Sequence, residues 1–278
     1  MSAVPERYID FHAHLFPDDF FDAIWAFFRR EYGLEVAHRL YARECIDFLR
    51  ERGAGAVVYS NYAHRKGVAR TLNEWNIALL ESTAGLSCFA PFHPDDDDAL
   101  AMARDILQHP QVLGFKLHFL VQPFRPDDES LFPLYELVME RGKRLLMHIG
   151  TGPIGNGRVG AAYLERILER YPCLPANIAH MGAFEFDRFF SLLEGHPGLF
   201  LDTAFCFLPG KFRMYTLGPG PLEQFRDRLL YGSDFPNIFS HCDEELAALE
   251  AMGLSDEFYR KVFRDNGEAL LGRAISGL

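Results

Sequence analysis

The chain lacks an excess of positive charge: 28 lysines and arginines stand against 39 aspartates and glutamates, a formal net charge of −11 over 278 residues. No basic stripe or Lys/Arg cluster interrupts that balance. Nucleic acid and an anionic membrane surface are therefore poor partners, and small molecules are the expected ones. There is no run of roughly 18 apolar residues to span a bilayer, and the first seven residues, MSAVPER, carry no apolar signal core. The expectation is a cytoplasmic protein without membrane contact. Five cysteines, Cys45, Cys88, Cys173, Cys206 and Cys242, are odd in number, scattered and without C-x-x-C spacing. Neither a disulfide framework nor a cysteine zinc site is indicated. Composition leaves a homo-oligomer open.

What the chain does have is apolar bulk. Hydrophobic residues make up 49% of it and Phe occurs 26 times, which excludes whole-chain disorder and fits a deep interior or an aromatic-lined cleft. Short apolar runs recur along its length: Tyr8 to His14, Gly55 to Ser60, Leu86 to Phe92, Val112 to His118, Arg144 to Ile149, Asn177 to His180, Leu199 to Thr203 and Arg228 to Asp234. Between them lie stretches long enough for crossover helices. Two of these show the helical period, Ala99-Met102-Ala103-Ile106 and Leu164-Ile167-Leu168-Tyr171. Eight strand-then-helix units predict an α/β protein with a closed (β/α)8 TIM barrel, although an open doubly wound sheet shares the local pattern. No linker or shift in composition divides the sequence, so residues 1–278 read as one domain. The aromatic-rich segment after the first strand, 15–43, with Phe16 and Trp25, reads either as a helix packed on the body or as a cap over a pocket.

Two conspicuous stretches have ordinary explanations. Asp95 to Asp98 precedes Ala99-Leu100-Ala101-Met102, where carboxylates favour the positive end of a helix. Gly150 to Gly155 satisfies G-x-G-x-x-G, but Pro153 removes a donor from the turn and Asn156-Gly157-Arg158 delay the next helix. The following strand also ends in a histidine, where a dinucleotide site needs an acid, so a site loop is the better reading.

The chemistry lies at the far ends of the strands, the rim where a (β/α)8 barrel carries functional groups. His12 and His14, two apart on a strand, project to the same face and can chelate one transition metal. Lys116 and His118 end the fourth run, His148 the fifth, His180 the sixth and Asp234 the eighth. Each is a polar group at the end of an apolar run, where an unpartnered group is costly to bury. A shared metal explains the set better than coincidence does.

Asp10-Phe-His-Ala-His14, Gly114-Phe-Lys-Leu-His118, Met147-His148, Ala179-His-Met-Gly182, Tyr231-Gly-Ser-Asp-Phe-Pro236 and Asp265 to Gly272 together resemble the amidohydrolase superfamily. More narrowly they resemble its amidohydrolase 2 branch, which includes aminocarboxymuconate-semialdehyde decarboxylase. The resemblance implies a metal held by His12, His14, His148 and Asp234, with His180 in acid/base chemistry. Three imidazoles and a carboxylate suit zinc, and an open position can carry an activated water. In binuclear members a carboxylated strand-four lysine, here Lys116, bridges two metals. One metal is the preferred reading, because His118 beside Lys116 suggests a strand built for substrate contact.

The expected activity is hydrolysis of a small ester, lactone or amide by a metal-activated water. Decarboxylation of an aromatic or dienoic acid is the alternative, and a non-catalytic binding barrel the third. Asn61, Tyr62, His64, His93, Phe119, Gln122, Arg125, Arg158, Phe205, Phe207 and Lys211 fall at strand ends or in the loops that follow. Of these, Asn61, His93 and Arg158 join Lys116 and His118 as substrate-binding candidates, and the cations suit a substrate carboxylate.

Overall fold

Strand alternates with helix along the computed structural model, which describes residues 3–275. The strands are β1 (Tyr8–His14), β2 (Ala54–Ser60), β3 (Leu86–Pro91), β4 (Val112–His118), β5 (Arg144–His148), β6 (Ala176–Ile178), β7 (Leu199–Asp202) and β8 (Leu229–Leu230). The helices are α1 (Asp18–Tyr32), α2 (Ala42–Glu51), α3 (Val68–Ser82), α4 (Ala99–Ile106), α5 (Phe132–Glu140), α6 (Ala161–Arg170), α7 (Phe186–Gly195), α8 (Pro219–Gln224), α9 (Cys242–Glu250), α10 (Asp256–Arg260) and α11 (Asn266–Leu271). The strands form one eight-stranded sheet in chain order, the topology of the (β/α)8 barrel. Among the described residues no helix is long and apolar enough to cross a membrane. By its packing the chain falls into two compact units, Met1–Tyr59 with Thr203–Leu278, and Ser60–Asp202.

In the first unit every residue of β1 is buried, so its polar side chains lie in the interior with the apolar ones. β8 is shorter than the apolar run 228–234 suggests. Beyond Leu230 the chain still runs beside β1: Phe11 N–H donates to Tyr231 O, Asp234 N–H to His12 O and His14 N–H to Phe235 O, each at 2.8 Å. Asp234 has φ 57°, a left-handed conformation that no strand continues through. That turn is why the metal-binding candidate lies past the strand and not at its end.

The segment after β1 is helical. Asp18 and Asp19 in the first turn of α1 and Arg29 and Arg30 in the last complement the helix dipole, and Gly33 caps it at φ 64°. Phe21 and Trp25, four apart, form the buried face. Their rings stack at 5.1 Å, and Tyr41 lies 5.7 Å from Trp25. The helix is thus anchored through these two aromatics, whereas Phe27 and Tyr32 are exposed.

In the second unit β3 to β7 pair in parallel, and β4 and β5 are in register with His118 opposite His148. The helical periods at 99–106 and 164–171 appear as α4 and α6. Leu134, Leu137 and Val138 of α5 and Leu164, Ile167 and Leu168 of α6 are buried, each side chain contributing about 1.5–3 kcal/mol of transfer free energy. β6 stops at Ile178, two residues before the expected end. His180 and Met181 have φ 57° and 50°, so the chain leaves the extended conformation and makes a short 3-10 turn, 179–182.

The Asp95–Asp98 run lies at the start of α4 and reaches across to the residues before α3 and in its first turn. Asp96 accepts the Gly67 amide at 2.6 Å, Asp97 pairs with Lys66 at 2.5 Å and Asp98 with Arg70 at 3.3 Å. The glycine-rich stretch 150–155 does not open a helix, since α6 begins at Ala161. Instead it abuts the turn after β6. A Cβ on Gly150 would sit 2.5 Å from the Gly182 carbonyl carbon, and Gly152 N–H donates to Ala183 O.

Candidate metal centre and active site

In the first unit, His12, His14 and Asp234 are buried, and one ligand atom from each lies within 4.8 Å of the others. Asp234 Oδ1 is 3.1 Å from His14 Nε2 and 3.5 Å from His12 Nε2. The alternation of β1 supplies the two imidazoles, and the left-handed turn after β8 supplies the carboxylate. Gly232 permits the approach, because a Cβ there would lie 2.6 Å from the Cβ of His12. Phe16 stacks on His14 at 6.2 Å.

Beneath the triad, Asp10 Oδ1 accepts the amides of His12 at 3.2 Å and Ser233 at 3.1 Å. Asp10 belongs to the motif read from the sequence but was not assigned a role there. Its signal is its spacing, an acid two residues before His12 on an alternating strand. A buried carboxylate is costly without a positive partner. Two imidazole nitrogens facing one carboxylate oxygen form a donor set that fits a divalent transition ion.

In the second unit, His118, His148 and His180 come together. The rings of His118 and His148 stack at 4.3 Å with 14° between planes, and Tyr62 meets His118 edge-on at 4.8 Å. His148 Nε2 lies 2.9 Å from Gly152 O, and its Nδ1 lies 3.2 Å from His180 Nε2. A carbonyl only accepts, so His148 carries a proton on Nε2; with His148 neutral its Nδ1 accepts and His180 Nε2 donates. Both ring nitrogens of His148, a ligand by resemblance, are engaged in this arrangement.

His180 is held from below by Asp202, whose Oδ1 accepts the His180 amide at 2.9 Å. Asp202 and His180 also bring ligand atoms within 4.8 Å of one another. Asp202 is a residue the sequence reading missed. Its signal was an acid after the apolar run Leu199-Phe200-Leu201, the same pattern that identified Asp234.

The remaining candidates in this unit divide by what they touch. Lys116 is fully buried in β4. Asn61 exchanges side-chain hydrogen bonds with Asn76, at 2.7 and 3.1 Å, which gives it a structural task. Gln122 ties loops together, donating to Ala63 O and Phe92 O while accepting the His118 amide. His93 Nδ1 accepts the Asp95 amide at 3.3 Å, and its buried Nε2 has no hydrogen-bond partner among the described residues. His64 is held below the usual histidine range by burial first, then by Arg65 and His93. Arg158 is half-buried, on the loop before α6. Arg125 is engaged by Asp127 and Asp128 and is a surface ion pair. In the first unit, Lys211 lies over the Phe212 ring at 5.1 Å.

The family model described as Amidohydrolase matches residues 9–273. No curated protein matches the chain. Among solved structures, a TIM-barrel protein from Bordetella bronchiseptica is 18% identical, with 96% of this chain and 100% of that one covered at a TM-score of 0.75. A putative 2-pyrone-4,6-dicarboxylic acid hydrolase from Pseudomonas putida is 20% identical, with 97% and 98% covered at 0.61. A 5-carboxyvanillate decarboxylase from Novosphingobium aromaticivorans, complexed with manganese and 4-hydroxy-3-methoxy-5-nitrobenzoic acid, is 14% identical, with 96% of each chain covered at 0.63. At these identities the three structures show a common fold.

Proposed function

Because the chain belongs to the amidohydrolase family, we propose that it is a metal-dependent hydrolase of a small ester, lactone or amide that carries a carboxylate. The observation that carries this reading is the buried Asp234 carboxylate set against His12 and His14. These three residues would hold a divalent cation. Zinc is the first candidate for a nitrogen-rich set, and manganese is the second, from the decarboxylase solved with it. By the family resemblance alone, His148 would be a fourth ligand. When bound, such an ion would polarise a carbonyl oxygen and lower the pKa of a water.

The chain's own groups supply the rest. The Asp234 carboxylate accepts the proton of the attacking water. His180, when it carries protons on both ring nitrogens, would deliver one to the leaving oxygen or nitrogen and be left as the neutral imidazole. The ammonium of Lys116 binds the substrate carboxylate. With a net charge of −11, small molecules are the proposed partners, and nucleic acid and membranes are not.

A second reading has its own observation. The flat His118–His148 stack with Tyr62 at its edge suits a planar aromatic or dienoic acid. There His180 would protonate the carbon from which CO2 departs. A panel of lactones and esters assayed beside aromatic and dienoic acids, with CO2 release monitored, decides between the two. Turnover of the acids alone would reverse the choice.

A further inference from the structure

The unit of Met1–Tyr59 and Thr203–Leu278 contains a cavity of about 110 Å3 that the proposed chemistry does not use. Two of its walls are Tyr8 and Tyr231, each 5% exposed, whose rings meet edge to face at 5.3 Å. Neither hydroxyl has a hydrogen-bond partner among the described residues. Burial pushes both well above the ordinary phenol range, so both are protonated donors. Both hydroxyls line the open space of the cavity, where a guest can accept from them.

Charge, shape and size narrow the ligand. Arg52 lies at the cavity with its Nε 3.1 Å from Asp243 Oδ1 and its guanidinium 3.6 Å over the Phe48 ring. The carboxylates of Asp10 and Asp243 both act on Tyr8, against this one cation. At the cavity itself the Asp243 carboxylate opposes an anion and the Arg52 guanidinium opposes a cation, so a neutral molecule is favoured. Leu49, Leu246 and the tyrosine rings give it an apolar wall. The volume is below the roughly 150 Å3 that accommodates benzene. Arg52 and Asp243 have side chains 35% and 66% exposed, which puts solvent access at the ion pair. The geometry points to a binding site for a small neutral molecule with an apolar body and one hydroxyl, a short-chain alcohol, held by the hydroxyls of Tyr8 and Tyr231.

The test is a titration of the full chain with 1-propanol, followed by ligand-observed NMR and run beside Tyr8→Phe, Tyr231→Phe and Leu246→Trp. The wild type is expected to bind saturably. Each Tyr→Phe change keeps the ring and the packing, and should weaken binding about fivefold, the worth of one hydrogen bond. Leu246→Trp fills the cavity and should abolish binding. A linear, non-saturating response of the wild type overturns the site. Saturable binding that both Tyr→Phe variants retain at full strength overturns the recognition by these hydroxyls, and does so whether or not Leu246→Trp folds.

Discussion

Ser233 donates its hydroxyl to Oδ2 of Asp10 at 2.5 Å while its backbone N–H donates to Oδ1 of the same carboxylate at 3.1 Å. Oδ1 also accepts the His12 amide, and the Ser233 hydroxyl oxygen accepts the Phe235 amide at 3.1 Å. One buried carboxylate thus ties the backbone of His12 to the residues on both sides of Asp234. Groups that orient metal ligands in this way typically change metal affinity about 10–100-fold when removed. Asp10→Asn keeps the volume but replaces an acceptor with a donor, so a loss of that order is expected, with a smaller loss for Ser233→Ala. A competition titration against a chromophoric chelator measures it. A lowered Tm with unchanged metal affinity would reduce Asp10 to a structural strap.

The triad itself predicts a stoichiometry. Protein purified without chelator should carry about one equivalent of divalent metal, and His12→Ala should lose most of it. Because the ion binds the folded state, stripping it with chelator should lower the Tm of the wild type. The Tm of His12→Ala should not respond to chelator. Metal analysis and paired melts with and without chelator check both statements, and a wild type that melts identically in the two conditions contradicts them.

The fold and the triad were legible for different reasons. Strand β4, Val112–His118, matches its apolar run at both ends, and α4 starts and ends on its helical period, because pleat and helix impose periods of two and 3.6 on burial. His12 and His14 were legible because their spacing is itself the strand period. The turns that carry His180 and Asp234 were not. A residue with φ near 57° has no periodic signature, and apolar runs 177–180 and 228–234 look like strands to their last residue. The tertiary task of Asn61 was also invisible, since its partner Asn76 lies 15 residues away on α3. Asp202 could have been found by applying to β7 the rule that found Asp234.

Lys116 separates the one-metal from the two-metal site. It is fully buried on β4, in register with Pro91 on one side and Leu146 on the other. If its ammonium meets the substrate carboxylate, Lys116→Met removes a charged hydrogen bond of about 1.5–3 kcal/mol, roughly a 10–150-fold rise in KM, and leaves metal content unchanged. If the lysine is carboxylated and bridges two ions, the same change removes one equivalent of metal. Steady-state kinetics on the best substrate of the panel, with metal analysis of the same preparation, read both. A variant unaltered in KM, kcat and metal content would place Lys116 outside the site.

His38 predicts how stability depends on pH. Its ring lies 4.9 Å from Phe48, 5.2 Å from Phe235 and 4.9 Å from His241, and its buried Nε2 has no partner among the described residues. Burial, then His241, then Arg52 hold it below the usual histidine value, with Asp243 opposing. A folded-state pKa below the unfolded value of about 6.5 means that the folded protein binds fewer protons there. The contribution is therefore complete above about pH 6.5 and is lost as pH falls from there through the lowered folded value. The next residue back, Ala37, donates its amide to Ile238 O at 2.9 Å, so this loss loosens the link between α1 and α2 from the loop that follows Asp234. His38→Phe keeps an aromatic ring against Phe48 and Phe235 but cannot be protonated. Between pH 7.5 and 5.5 its Tm should fall less than that of the wild type. Parallel slopes in melts at pH 7.5, 6.5 and 5.5 would assign the acid sensitivity to other groups.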